Sequence, residues 1–327
     1  MAFLEVENIS KREQDNDAVI NISFTQQHLQ KIAIAGTTGS GKTTLLKMIA
    51  GLIQPTSGKI KFENKTVIGP NNQLIPGHKA IAYLSQHFEL RNNYYVHELL
   101  EMASVIANEE ANKIYAVCQI QHLLKRRTDQ LSGGEKQRIA LAKTLVTAPK
   151  FLLLDEPFSN LDNLHKTIIK QVIADICNTL KITCIIVSHE AQDILSWANW
   201  ILIMKNGSIV QQDTPHNIYT KPVNEYVAGL LGDYNLIDVQ HAAGFARVFN
   251  KQMQGKQLMV RPEQITISPA TNITQLDTVQ QVLFYGSYYK VHVLVKNKII
   301  IVQTNNHQFA IGDRVFLSID PNNIWYL

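Results

Sequence analysis

The sequence predicts an α/β fold with a largely parallel sheet, continued by a small all-β domain. Three observations carry this reading. Short apolar runs at residues 31–35, 151–154 and 183–187 show no polar alternation, as strands buried on both faces do. Stretches of helical period follow two of them, at 44–51 and about 161–180. Beyond about residue 231 the helical period disappears, and short β-type runs punctuated by Gly, Asn and Pro take over.

The elements follow in order along the chain. Residues 3–9 and 18–25 alternate apolar and polar side chains, as antiparallel strands with one solvated face do. The run 31–35 leads straight into a Gly/Thr/Ser loop. The helix after that loop is apolar at Leu45, Leu46, Ile49 and Ala50 and is closed by Gly51. Between about 87 and 130 a helical insertion is expected, with apolar positions at Leu99, Leu100, Met102, Val105 and Ile106. The β-type runs of the last third fall at 257–260, 264–267, 281–285, 290–295, 299–303 and 314–319. They predict a small barrel joined near 232–238.

Composition narrows the class. A chain of 327 residues has length for two domains, and 45% apolar with 18% charged residues is the balance of a folded protein. A formal net charge of +4 is small for a dedicated nucleic-acid binder. Cys118, Cys177 and Cys184 lack metal-type spacing and read as reduced thiols in a core. No basic segment followed by an apolar run opens the chain, and its apolar runs are strand-length, far short of the ~20 residues a bilayer span needs. Membrane association is therefore expected only through a partner.

Three motifs carry chemistry. Gly36-Thr37-Thr38-Gly39-Ser40-Gly41-Lys42-Thr43, followed by Thr44, matches G-x-x-x-x-G-K-[ST] between a strand and a helix. Its backbone N–H groups and the helix end suit a nucleotide's phosphates. Lys42 suits the β- and γ-phosphates, and the Thr43 hydroxyl suits Mg²⁺. The strand 151–154 ends in Asp155 and Glu156: one carboxylate to meet Mg²⁺, one to polarise an attacking water. Alone, two acids at a strand end mark a solvated terminus; downstream of a phosphate loop they point to hydrolysis. Ser132-Gly133-Gly134-Glu135 opens a helix and makes a second backbone anion cradle. One ATP does not need two cradles in one subunit, whereas two subunits facing head to tail would use both.

With these motifs the chain resembles the nucleotide-binding subunits of ABC transporters, in which the LSGGQ signature of one subunit closes on the γ-phosphate held by the other. The resemblance covers roughly residues 3–230, and further motifs match in the family's order. Gln86 resembles the Q-loop glutamine that touches Mg²⁺ or water. Ser159-Asn160-Leu161-Asp162 resembles the D-loop, and His189 the switch histidine that contacts the γ-phosphate. The family implies a RecA-like P-loop NTPase core with antiparallel β and helical subdomains, over residues 1–232 with the helical part at about 87–143. It implies ATP and Mg²⁺ as cofactors and a homodimer as the working unit. Two departures stand out. Glu135 replaces the usual Gln of the signature. Glu13 falls where relatives carry an aromatic ring on adenine, which implies a looser adenine site with the Arg12 guanidinium in the ring's place.

The last third resembles the TOBE domain, a small OB-like β-barrel expected over residues 236–327. The resemblance lies in Val260-Arg261-Pro262-Glu263, Phe284-Tyr285-Gly286-Ser287 and the stretch 312–321. That domain implies the importer group that serves polyamines, ferric iron, sugars, molybdate or sulfate. Its partners would be membrane permease subunits and, indirectly, a substrate-binding protein, with the chain held at the cytoplasmic face of the membrane. Tyr285, Tyr288, Tyr289 and Lys290 could also be read as a nucleic-acid face. The low net charge favours aromatics that fill a barrel or its dimer contact. Two other readings belong to the same family: an ATPase acting on ribosomes or DNA, and an exporter subunit. The single P-loop and the short insertion argue against the first, and the β-domain against the second.

Overall fold

The computed structural model describes residues 2–13, 16–86, 90–238, 257–270, 277–320 and 325–327. The start of the expected helical insertion (87–89), residues 239–256 of the expected barrel, and Pro321 lie outside them. The chain divides into two compact units, Met1–Pro215 and His216–Leu327.

In the first unit the strands are β1 (Leu4–Glu13), β2 (Asn16–Gln26), β3 (Ile32–Ala35), β4 (Ser57–Phe62), β5 (Lys65–Thr66), β6 (Ile81–Leu84), β7 (Phe151–Asp155), β8 (Thr183–Val187), β9 (Trp200–Lys205) and β10 (Ser208–Asp213). The helices are α1 (Lys42–Ile49), α2 (Val96–Ala103), α3 (Asn108–Val117), α4 (Gly133–Leu145), α5 (Asn163–Asn178) and α6 (Ala191–Leu195). Six strands form one sheet in the order β10-β9-β3-β8-β7-β6, parallel except where β10 returns along β9. A second, antiparallel sheet runs β2-β1-β4-β5.

The apolar runs without alternation are explained by what covers each face. Along β7, Phe151 and Leu153 point into a core shared with α1 and the antiparallel sheet. Leu152 and Leu154 point to the other side, into a core built by α2 to α5. Successive strand side chains alternate faces, so a strand covered on both sides has no polar position to offer. Each such Leu contributes about 1.5–3 kcal/mol by leaving water. On α5 the buried positions Ile169, Val172, Ile173 and Ile176 form one stripe at helical spacing. Asp162 starts that helix by accepting from the His165 N–H at 2.9 Å.

The expected elements differ from the observed ones in detail. The first helix begins at Lys42, inside the phosphate motif, two residues before the apolar pattern. In the insertion Leu99 and Leu100 are buried, but α2 ends at Ala103, and Met102 and Val105 face outward, 59% and 73% exposed. Cys177 and Cys184 are free and buried with their sulfurs 3.2 Å apart, across α5 and β8.

The second unit begins at His216, whereas the sequence reading joins the β-domain near 232–238. Almost all of α7 (Pro215–Thr220) and the whole of α8 (Glu225–Leu231) therefore belong to it. Its strands are β11 (Asn235–Ile237), β12 (Leu258–Val260), β13 (Ile265–Pro269), β14 (Thr278–Phe284), β15 (Tyr289–Val295), β16 (Lys298–Thr304), β17 (Val315–Ile319) and β18 (Trp325–Tyr326). They form three small antiparallel sheets, β11-β12-β18, β13-β17 and β14-β15-β16, around one apolar core. Arg261 explains why the helices go with the strands. Its side chain is fully buried and donates to the carbonyls of Tyr219, Ala228, Gly232 and Asp233, with its guanidinium 4.1 Å from the Tyr219 ring. Of the tyrosines weighed as a nucleic-acid face, Tyr289 packs on the core, while Tyr285 stacks on Tyr288 and under the Lys290 ammonium.

Candidate functional site

Parallel strands bring their carboxyl ends to one edge of a sheet, where loops carry ligand-binding groups. Here β3, β8, β7 and β6 are neighbours. Their ends deliver the phosphate loop after Ala35, His189 after Val187, Asp155 and Glu156, and Gln86 after Leu84.

The loop between β3 and α1 depends on glycine at two positions. A Cβ on Gly36 would lie 2.7 Å from Ser40 Oγ and inside contact with the Met204 carbonyl. Gly41 has φ +94°, and a Cβ there would meet the Ala18 carbonyl of β2. No side chain caps α1, so its amino end is offered to an anion. Thr37, Thr38, Gly39 and Thr43 are exposed, Thr44 is half-buried and Ser40 is buried. Lys42 is folded back into the loop, its Nζ donating to the Gly36 and Thr37 carbonyls at 2.8 Å each. Burial pushes its pKa down, and the nearby Glu156 and Asp155 carboxylates push back. The ammonium is thus held beside the acids by carbonyls that a phosphate can replace.

Asp155 is buried at the end of β7. Its Oδ2 accepts from the Tyr83 hydroxyl at 2.9 Å, while its Oδ1 has no hydrogen-bond partner among the described residues. Burial and this carboxylate raise the Tyr83 pKa, so the phenol stays a donor. An acid with one oxygen fixed and the other buried and unpaired fits a hard cation such as Mg²⁺. The Thr43 hydroxyl and the exposed Gln86 amide supply oxygens of the matching kind. The next residue, Glu156, has φ +49°, an uncommon value for a side chain of its kind, and its carbonyl accepts from the Ser159 N–H and hydroxyl. Its Oε2 lies 3.3 Å from Nδ1 of His189, an exposed ring.

The second cradle is built on other elements. Ser132 caps α4 in a reciprocal arrangement. Its hydroxyl accepts from the Glu135 N–H at 3.3 Å, and its own N–H donates to Glu135 Oε2 at 2.8 Å. Partial burial opposes charge on Glu135, but the Ser132 groups, Arg126 and Arg138 outweigh it and hold the carboxyl below the usual range. The residue that departs from the signature therefore braces it. Gly133 is open to its surroundings, whereas Gly134 is covered by the ring of His165. Asp162 caps α5 and holds Nδ1 of the same His165 at 2.8 Å. The Gln137 side chain of α4 also donates to the Pro157 carbonyl, next to Glu156.

The structure thus gathers Lys42, Asp155, Glu156 and His189, with Gln86 on the same sheet edge. Ser132, Gly133, Gly134 and Asp162 stand together at the joint of α4 and α5. Tyr83, His165, Lys166 and Asp193 were not among the sequence candidates. Each acts through a contact distant in sequence or away from any motif.

Comparison with known proteins shows the family. The profile of the ABC transporter family matches residues 19–159, and that of the TOBE domain matches 258–327. The chain is 30% identical over 346 residues to the Fe(3+) ions import ATP-binding protein FbpC of Photobacterium profundum, covering 99% of this chain and 97% of that protein. It is also 30% identical over 341 residues to the spermidine/putrescine import ATP-binding protein PotA of Clostridium acetobutylicum, covering 98% and 95%. Among solved structures, cbiO1 of Clostridium perfringens, part of the ABC transporter complex cbiONQ, superposes with a TM-score of 0.59. It is 26% identical, and the match covers 67% of this chain and 90% of that one.

Proposed function

We propose that this chain, which belongs to the ABC transporter family as an ATP-hydrolysing import subunit, works as a head-to-tail pair enclosing two ATP molecules. Each site would join Lys42, Thr43, Gln86, Asp155, Glu156 and His189 of one chain to the partner's Ser132, Gly133 and Gly134. The observation that carries this reading is the pair of anion cradles on separate elements, one at the sheet edge and one at the start of α4.

In the site, residues 36–44 wrap the phosphates and Lys42 exchanges its two carbonyls for phosphate oxygens. Thr43, Gln86 and Asp155 would hold Mg²⁺, which offsets the charge of the phosphates when bound. Glu156 orients a water and takes its proton as the water oxygen attacks the γ-phosphorus; ADP leaves. His189, within reach of Glu156, fixes the carboxylate and turns its other ring nitrogen to the γ-phosphate. Asp162, at the start of α5, would face the partner's P-loop. Closure on ATP and reopening after hydrolysis form a population shift, because only the closed pair supplies both cradles.

The segment from Gln86 to Asn93 would pass this motion to a helix of a membrane permease. Beside it lies a groove of about 380 Å³ lined in part by Tyr83, Ser85, Leu90, Ala103, Lys143 and Thr144. Among the described residues no helix is long and apolar enough to cross a membrane. Because its relatives are named as import ATP-binding proteins, we place the chain at the cytoplasmic face, held by permease subunits that a substrate-binding protein serves. Relatives of equal similarity are named for ferric iron and for polyamines, so the solute is selected elsewhere in the assembly.

Glu156→Gln tests the reading. With ATP and Mg²⁺ the variant should elute as a stable dimer and hydrolyse at least ~100-fold more slowly. Hydrolysis at the normal rate would remove Glu156 from the role assigned here.

A further inference from the structure

We infer that Lys166 and Lys170 of α5, acting through the buried carboxylate of Asp193, position the loop 188–190 and so hold His189 in its place against Glu156. This rests on the role proposed for His189. The Asp193 side chain is 1% exposed, with Oδ1 2.8 Å from Lys170 Nζ and Oδ2 3.0 Å from Lys166 Nζ. The two lysines are four residues apart and share one face of α5. A carboxylate taken out of water is held only where charge and hydrogen bonds compensate it, so this acid fastens the start of α6 to α5.

Both chain neighbours of His189 are tied into that cluster. The Ser188 N–H donates to the Ile34 carbonyl of β3 at 3.2 Å, and its hydroxyl lies 3.5 Å from Asp193 Oδ2 while accepting from the Glu190 N–H at 3.2 Å. The Glu190 carboxylate pairs with Lys166, and its carbonyl accepts from the Asp193 N–H at 3.1 Å. The exposed His189 ring therefore rides on a short loop gripped at both ends, and Lys166 grips it both directly and through Asp193. Burial opposes the charge of Lys166, but Glu190 and Asp193 overcome it and raise its pKa. Loosening this grip shifts His189 relative to Glu156 without touching the phosphate loop. That predicts a slower chemical step with nucleotide binding preserved.

The test is a double-mutant cycle on the full chain, read as steady-state ATP hydrolysis. Lys166→Met leaves Lys170 to neutralise Asp193, so the fold is kept. It should lower kcat roughly tenfold with KM unchanged within about twofold. Lys166→Arg should restore most of the rate. In a His189→Ala background, Lys166→Met should lower kcat by less than about twofold further, since its effect passes through the missing ring. A normal kcat in Lys166→Met beside a slow His189→Ala overturns this inference alone, as does a drop that persists in full in the His189→Ala background. A normal kcat in His189→Ala overturns the role of His189 and this inference with it. Should Lys166→Met lose cooperative unfolding, Lys170→Met, at a more exposed position, carries the same pattern at smaller size.

Discussion

The imidazole of His165 occupies the space where a side chain on Gly134 would begin. A Cβ there would stand 3.1 Å from the ring's Cγ and closer still to Cδ2. Gly134→Ala should therefore push His165 off the start of α4, with an overpacking cost of about 1–3 kcal/mol. The double variant with His165→Ala should recover the melting temperature. If ATP hydrolysis stays low in the double variant, the glycine serves the partner's phosphate as well as the packing.

Arg261 puts its guanidinium on four main-chain carbonyls within the second unit. A lysine is a point charge and cannot satisfy them together. Arg261→Lys should destabilise the second unit by about 1–3 kcal/mol through carbonyls left without a donor. Calorimetry should show this as an early transition, separate from the one that ATP shifts.

His78 is half-buried, edge-on to the Phe62 ring, and its Nδ1 accepts from the Ala80 N–H at 3.2 Å. Burial lowers its pKa from 6.5 in spite of Glu63. The unfolded chain then takes up the proton first as pH falls. Stability should accordingly decline as pH drops below about 6.5 and hold above it. In His78→Asn, which keeps an acceptor near Nδ1, the decline between pH 7.5 and 5.5 should be shallower. An unchanged slope would place the acid sensitivity elsewhere.

Arg12 and Glu13 end β1 exposed, in register with Asp17 and Asn16, and the Ala18 carbonyl of the next strand abuts Gly41. The base would rest on a polar hairpin without a ring at Glu13. ATP and GTP should therefore be hydrolysed with kcat/KM values within about one order of magnitude of each other, since a stack on a ring at Glu13 is missing from the choice. Arg12→Ala should weaken both nucleotides alike. A strong preference for ATP would count against the loose-adenine reading.

Much of the phosphate end was legible from residue order alone. Strand, Gly-rich loop and helix are contiguous, so Gly36 to Thr43 carries its own geometry. The runs ending in Asp155 and preceding His189 announce their burial by lacking polar positions. The helical insertion was legible in kind but not in detail. Met102 and Val105 fit an apolar pattern yet face outward, because α2 ends at Ala103 and periodicity does not report where a helix stops. The domain junction was hidden for a similar reason: α7 and α8 belong with the β-sheets through Arg261, whose carbonyl partners lie 28 to 42 residues away.

By itself, then, the sequence determined the class of fold, the phosphate-binding loop and the separate second cradle at Ser132, because those rest on contiguous motifs and on periods of 2 and 3.6 residues. Only the tertiary structure decided which side chains hold these motifs in working order. Tyr83 on Asp155, His165 on Gly134, and the Lys166–Asp193–Lys170 cluster behind His189 join residues brought together by strand order and helix packing. Such pairs repeat at no fixed spacing, and their energy comes from burial that exists only once the chain has folded.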